Sequence, residues 1–314
     1  MIYPMRFQPI YQTYIWGGDR IRKQFHRPIQ EPKVAESWEI SDREDGMSVC
    51  LNGPFKGKTL HTLVLEMKED LLGLEQKMER FPILTKIIDA KENLSIQVHP
   101  DSLSASKLHG EPKAEMYVAL EDSTFYAGLD KGVDEQRFRK AIQAGNAETL
   151  LSKLDLTKGE FAFLPGGMIH AILKGSFVYE IQQNSDTTYR LYDWGRGREL
   201  HLEKGLEAIR WDYPPAAKIE PRNLSSDLHH QFVLLTACEF FVVERFDIFK
   251  ALHIAPIPKS FQIYYCLEGE AQIGVDGHEE RIEPGMTYLI PAACKTIDFN
   301  GKCRVIRIRL PCVA

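Results

Sequence analysis

The chain has 314 residues, 44% of them hydrophobic, which is enough for two domains with substantial cores. Its 39 basic and 44 acidic residues give a net charge of −5 with no basic run, which excludes tracking of a nucleic-acid backbone and leaves small phosphates as the anionic partners. Cys50, Cys238, Cys266, Cys294, Cys303 and Cys312 form no Cys-x-x-Cys pair, no leader pattern opens the chain, and the most apolar stretch, 232–243, is short and contains Thr236 and Glu239. Reduced thiols and a soluble, cytoplasmic protein without membrane contact are therefore expected.

Residues 1–60 read as short strands and turns around Trp16-Gly-Gly18, Ala35–Ile40 and Asn52–Gly57. Glu36, Trp38 and Glu39 could line a site, but a Trp between charged residues is more simply a packing residue. Leu60, Leu63, Val64 and Met67 have the spacing of a helix lying on a core. Residues 82–90 read as a buried strand whose central Lys86 must reach water, a partner or a ligand.

In Leu94–Pro100, an extended backbone puts Ser95, Gln97 and His99 on one face and Leu94, Ile96 and Val98 on the other. Taken alone, that is also the pattern of an edge strand with its polar side in water. Lys113 precedes a second alternating run, in which Glu115 and Tyr117 oppose Met116, Val118 and Leu120. Glu115 can then face the same interior as His99.

Phe138, Ile142, Leu150, Leu151 and Leu154 have helical spacing broken near Gly145, which predicts a small helical insertion at about 131–156. Gly159–His170 combines a short strand, a Pro-Gly-Gly turn and a histidine that the turn can swing inward. Glu180 and Arg190 each interrupt an otherwise apolar or aromatic strand, and a surface ion pair is the bland account of them.

Gly-x5-Pro-x-Gly-x2-His at 159–170 matches the second motif of the cupin superfamily, and Gln97-Val-His99 with Glu115 resembles the first. A glutamine stands where most cupins have histidine, and the loop 100–112 lengthens the gap to the glutamate. Together with Lys113-x-Glu115, the Glu180 strand and Ser185-Asp-x-x-x-Arg190, these motifs resemble type I phosphomannose isomerase in its short bacterial form, over roughly residues 7–212.

The resemblance implies a mainly β protein of two cupin barrels, and one zinc ion per chain held by Gln97, His99, Glu115 and His170. It implies Glu180, Arg190 and Lys113 in the catalytic pocket, Lys86 and Ser95 at a substrate phosphate, and a monomer acting on a small phosphorylated sugar. Many relatives carry a lysine where this chain has Arg196, which leaves the charge but not a defined role. A metal-dependent oxygenase and a non-catalytic sugar-binding cupin are the alternatives. Lys113 and Arg190 argue against the first, and the full ligand set against the second.

An internal alignment sets Glu115–Glu121 against Gln262–Glu268, and Leu164–His170 against Ile290–Thr296. Glu115 becomes Gln262 and His170 becomes Thr296, so a metal-free barrel is expected at 218–314 after a catalytic domain at 1–217.

Overall fold

The computed structural model describes residues 2–311; Met1 and Cys312 lie outside the described residues. The chain forms two compact units, one of Tyr11–Ser37 and Leu84–Ile219, the other of the residues up to Ile10, Trp38–Ile83 and those from Glu220 onward. The sequence reading set 1–217 apart from 218–314; the two units divide between Ile219 and Glu220, and the residues up to Ile10 and Trp38–Ile83 fall with the C-terminal residues. Met5–Arg6 pairs with Thr287–Ile290, and Leu71 and Leu72 accept backbone hydrogen bonds from Ala292 and Phe261, contacts far apart in sequence that composition could not reveal.

Two sheets carry the motifs. One runs Leu151–Leu156, Ser123–Leu129, His170–Ile172, Ile96–Val98, Tyr189–Tyr192; the other runs Phe161–Leu164, Glu115–Ala119, Phe177–Gln183, Ile83–Asp89, Glu36–Ile40, Ile10–Gln12. Phe125, Ala127 and Ile172 of the first pack against Tyr117, Ala162, Leu164 and Val178 of the second, so apolar burial holds the sheets face to face around a polar interior.

The strand Ile96–Val98 is not an edge. It lies between His170–Ile172 and Tyr189–Tyr192, and its outward Ile96 and Val98 meet a helical layer with Phe138, Ala141 and Leu206. A helix at Ser102–Leu108 occupies the long loop, capped by Asp101, whose carboxylate accepts from Ser104 N at 2.7 Å while Ser104 Oγ accepts from Asp101 N. Such a cap contributes about 1 kcal/mol. The insertion is only partly helical: Glu135–Ala144 is an α-helix, Ala147–Leu150 a single 3-10 turn, and Leu151–Leu156 a strand. Leu154 and Leu156 alternate with exposed Lys153 and Asp155, and this period of two outweighs the helical spacing read from Leu150 and Leu151.

The other unit repeats the architecture in a sheet led by Gln262–Val275, Ile297–Arg309 and Val242–Ile248. Its register matches the internal alignment: Ile290 opposes Gln262 as Leu164 opposes Glu115. A polar network occupies the corresponding interior. Arg307 Nε donates to Glu244 Oε2 at 2.7 Å, Arg309 Nη2 lies 3.0 Å from Glu244 Oε1, and Gln262 Oε1 accepts from Tyr264 at 2.9 Å and Arg307 at 3.2 Å.

Burial opposes ionisation of Glu244, but Arg307 and Arg309 outweigh it and hold its carboxyl below the ordinary value of 4.5. A depressed folded pKa adds stability that is complete above that value and is lost as pH falls through the folded one. Glu244→Gln strands a buried guanidinium and is expected to cost about 3–5 kcal/mol at neutral pH. The gap in melting temperature from wild type should narrow below about pH 4.5. A gap that is constant from pH 7 to pH 3 would show that the ion pair is not responsible.

Candidate active site

Strand register aligns the first group of side chains. His170 opposes Gln97, and Gln97 opposes Arg190, so the three point to one face of the five-stranded sheet. Gly166 and Gly167 make the turn that delivers His170. Gly167 has φ +90, its N–H donates to His99 O at 2.7 Å, and a Cβ on Gly166 would stand 2.7 Å from Pro100 O. The turn therefore grips the backbone that carries the other histidine.

From the facing sheet, Glu115 sits opposite Gln182, and Tyr117 opposite Glu180. His99, Glu115 and His170 are all buried, and one donor atom from each lies within 4.8 Å of the others. Glu115 Oε1 is 2.5 Å from His99 Nε2 and 3.7 Å from His170 Nε2. Each imidazole is oriented by its other nitrogen: His99 Nδ1 lies 2.7 Å from Thr187 O, and His170 Nδ1 3.0 Å from Met168 O. Donation to these carbonyls leaves both Nε2 lone pairs facing the carboxylate.

Burial, working against Glu115, lowers the His99 pKa to about 4, and burial also lowers that of His170, so both rings are neutral at pH 7. Burial alone would raise Glu115, but His99, Lys113 and His170 keep it well below the usual carboxylate range. Two neutral imidazoles and one carboxylate form a donor set suited to zinc or a similar divalent ion. Glu115 Oε1 is moreover a buried acceptor with no hydrogen-bond partner, although Lys113 Nζ lies 3.2 Å away.

Gln97 reaches the same place with its amide nitrogen, 3.4 Å from each Nε2, while its Oε1 accepts from Ser95 Oγ at 3.1 Å. Ligation through oxygen requires the amide to turn over, after which Nε2 would face the Ser95 hydroxyl.

Beyond the cluster, buried Glu180 lies 3.5 Å from Lys113 Nζ and 4.0 Å from Lys86 Nζ, and Lys86 is also 3.3 Å from Glu36. Burial raises the Glu180 pKa to about 8 despite both lysines, whereas Lys86 is raised, its carboxylate neighbours outweighing burial. Glu180 is thus partnered by lysines on its own sheet's face, and the surface ion pair considered for it with Arg190 does not form. Arg190 Nη1 donates to Glu199 O at 2.9 Å, and its buried Nε has no hydrogen-bond partner. Arg196 ties a turn, bonding Asp193 and Asn93 O.

Two interior residues had been given no defined role. Glu36, named among residues that could line a site, pairs with Lys86. Tyr117 had no role, yet its hydroxyl donates to Glu115 Oε2 and lies 3.5 Å from Glu180 Oε1. Its signal was available: it stands two residues after Glu115 on a strand, hence on the same face.

A candidate histidine–carboxylate metal site between two facing sheets is the arrangement of the cupin class. Residues 5–123 match the family described as "Phosphomannose isomerase type I, catalytic domain", and residues 231–310 match "Mannose-6-phosphate isomerase, cupin domain". The chain is 34% identical to a mannose-6-phosphate isomerase of Streptococcus mutans, covering 98% of both chains. A crystal structure of the mannose 6-phosphate isomerase from Bacillus subtilis superposes with a TM-score of 0.90 at 30% identity, covering 98% of this chain and 99% of that one. A mannose 6-phosphate isomerase solved with zinc and yttrium shares the fold, with a TM-score of 0.77 at 18% identity over 98% of this chain and 100% of that one. The chain belongs to the type I phosphomannose isomerase family.

Proposed function

We infer that this chain is an aldose–ketose isomerase that interconverts mannose 6-phosphate and fructose 6-phosphate. The observation that carries the reading is the buried His99–Glu115–His170 cluster with Lys113 and Glu180 against it, in a chain of this family. The oxygenase and sugar-binding alternatives are not favoured, because the curated relatives carry isomerase names.

His99, Glu115 and His170, with Gln97 after its amide turns over, would hold one zinc ion per chain. When bound, such an ion acts as a Lewis acid toward the sugar oxygens at C1 and C2. Glu180 is assigned the proton transfer between C1 and C2, since a carboxyl whose pKa is about 8 can both accept and return a proton near neutrality. Lys113, 3.5 Å from Glu180, orients that carboxylate and projects its charge toward the sugar. Arg190 is assigned to the negative charge that develops on the enediolate oxygens, and the open Nε–H supports that role.

Lys86 with Ser95 is assigned to the phosphate, a contact for which Lys86 must exchange Glu36. We read 1–217 as carrying the chemistry and 218–314 as metal-free. A monomeric, cytoplasmic enzyme fits this reading, and among the described residues no helix is long and apolar enough to cross a membrane.

The test is a coupled assay of mannose 6-phosphate conversion to fructose 6-phosphate. Turnover should disappear on chelation and return on adding zinc. Absence of conversion by metal-replete protein would overturn the assignment.

A further inference from the structure

The two oxygens of Glu115 are not equivalent. Oε2 receives the Tyr117 hydroxyl, whereas Oε1 faces His99 Nε2 and His170 Nε2, accepts no hydrogen bond among the described residues, and has Lys113 Nζ 3.2 Å away as a charge partner. A free carboxylate can rotate about its last bond and offer a metal either oxygen or both. Tyr117 is fully buried, and its ring packs on Phe125 with centroids 5.1 Å apart, so the hydroxyl is held where it stands.

The C-terminal barrel supplies an independent observation of the same device. Tyr264 stands two residues after Gln262, as Tyr117 does after Glu115, and it donates to Gln262 Oε1 at 2.9 Å in a strand of equivalent register. There the residue held has a single oxygen, and Arg307 at 3.2 Å shares it. Tethering has been kept while the second oxygen has been lost. The tyrosine thus belongs to the barrel's construction, and a metal ligand results only where the tethered residue has an oxygen to spare.

We propose that the Tyr117 hydroxyl is a positioning group for the metal centre: it occupies Glu115 Oε2 and so presents Oε1 alone to the space shared with His99 and His170. This rests on the reading of those three residues as metal ligands. Tyr117 acts on the metal site through Glu115; its hydroxyl also lies 3.5 Å from Glu180 Oε1, which is why the test reads zinc affinity and not turnover.

The experiment is a zinc competition titration against a chromophoric chelator, run on metal-stripped wild type, Tyr117→Phe and Tyr264→Phe, with melting curves of the same samples. Groups that orient a ligand typically contribute 10–100-fold to metal affinity, so Tyr117→Phe should bind zinc roughly 10–100-fold more weakly. Tyr264→Phe should bind it as wild type does, whatever happens to its melting temperature. Equal zinc affinity in Tyr117→Phe and wild type would overturn the proposal, and so would a lower melting temperature with unchanged affinity. If the phenylalanine variant is not recovered folded, Tyr117→Leu, which also lacks the hydroxyl, is judged by the same criterion. Wild-type protein that binds no zinc would instead overturn the ligand assignment, an outcome visible before any variant is compared.

Discussion

Glu115→Gln is expected to abolish zinc retention and to lower turnover by at least about 10³-fold, since the proposed site loses its one anionic ligand and with it a Lewis acid worth several kcal/mol. The substitution gives the first barrel the residue that the second has at Gln262, with almost no change in volume. Its physical effect is the removal of charge from a place where two neutral imidazoles and Lys113 surround the carboxylate. The amide that replaces it offers one oxygen, which the Tyr117 hydroxyl can claim, and an NH₂ group that cannot ligate. Metal content after gel filtration, measured beside turnover and a melting curve, checks the expectation. A variant with full zinc occupancy and normal turnover would sink the assigned role of Glu115.

Arg190→Ala is expected to lower kcat by about 10²–10³-fold while leaving zinc content intact. Arg190 opposes Gln97 on the adjacent strand and makes its side-chain hydrogen bond to Glu199 O. Burial and the nearby Arg198 lower its pKa, and its buried Nε–H has no acceptor among the described residues. A donor in that condition contributes most when an anion forms beside it, which is why the loss should appear in kcat more than in KM. Arg190→Lys keeps a charge but not the planar fork, so partial recovery is expected. Near-normal turnover in the alanine variant, or loss of zinc along with activity, would remove Arg190 from its assigned place.

The resemblance left Arg196 a charge without a defined role. The structure uses it to bind Asp193 and the Asn93 carbonyl, bracing the backbone that leads to Ser95 and Gln97. Lys86 is the converse case. A lysine in a buried strand had to have a partner, and it has carboxylates at 3.3 and 4.0 Å. Which carboxylates they would be was not readable, because Glu36 comes from a strand about fifty residues earlier in the chain.

Local alternation by itself determined which residues share a face. Ser95, Gln97 and His99 oppose Ile96 and Val98, Glu115 accompanies Tyr117, and the Pro-Gly-Gly turn leads to His170, all because a strand has a side-chain period of two and a tight turn needs glycine. The motifs in their order also sufficed to name the family and to align the second barrel with the first, Gln262 and Ile290 with Glu115 and Leu164. Only tertiary structure decided that the Ile96–Val98 strand is central, that residues up to Ile10 and Trp38–Ile83 join the C-terminal unit, and that Leu151–Leu156 is a strand. It also decided that backbone carbonyls of Met168 and Thr187 orient the histidines and that Tyr117 divides the labour of Glu115's two oxygens. Those outcomes depend on which strands pair and which buried groups find partners, and pairing is a property of the whole chain, whereas periodicity belongs to a few neighbouring residues.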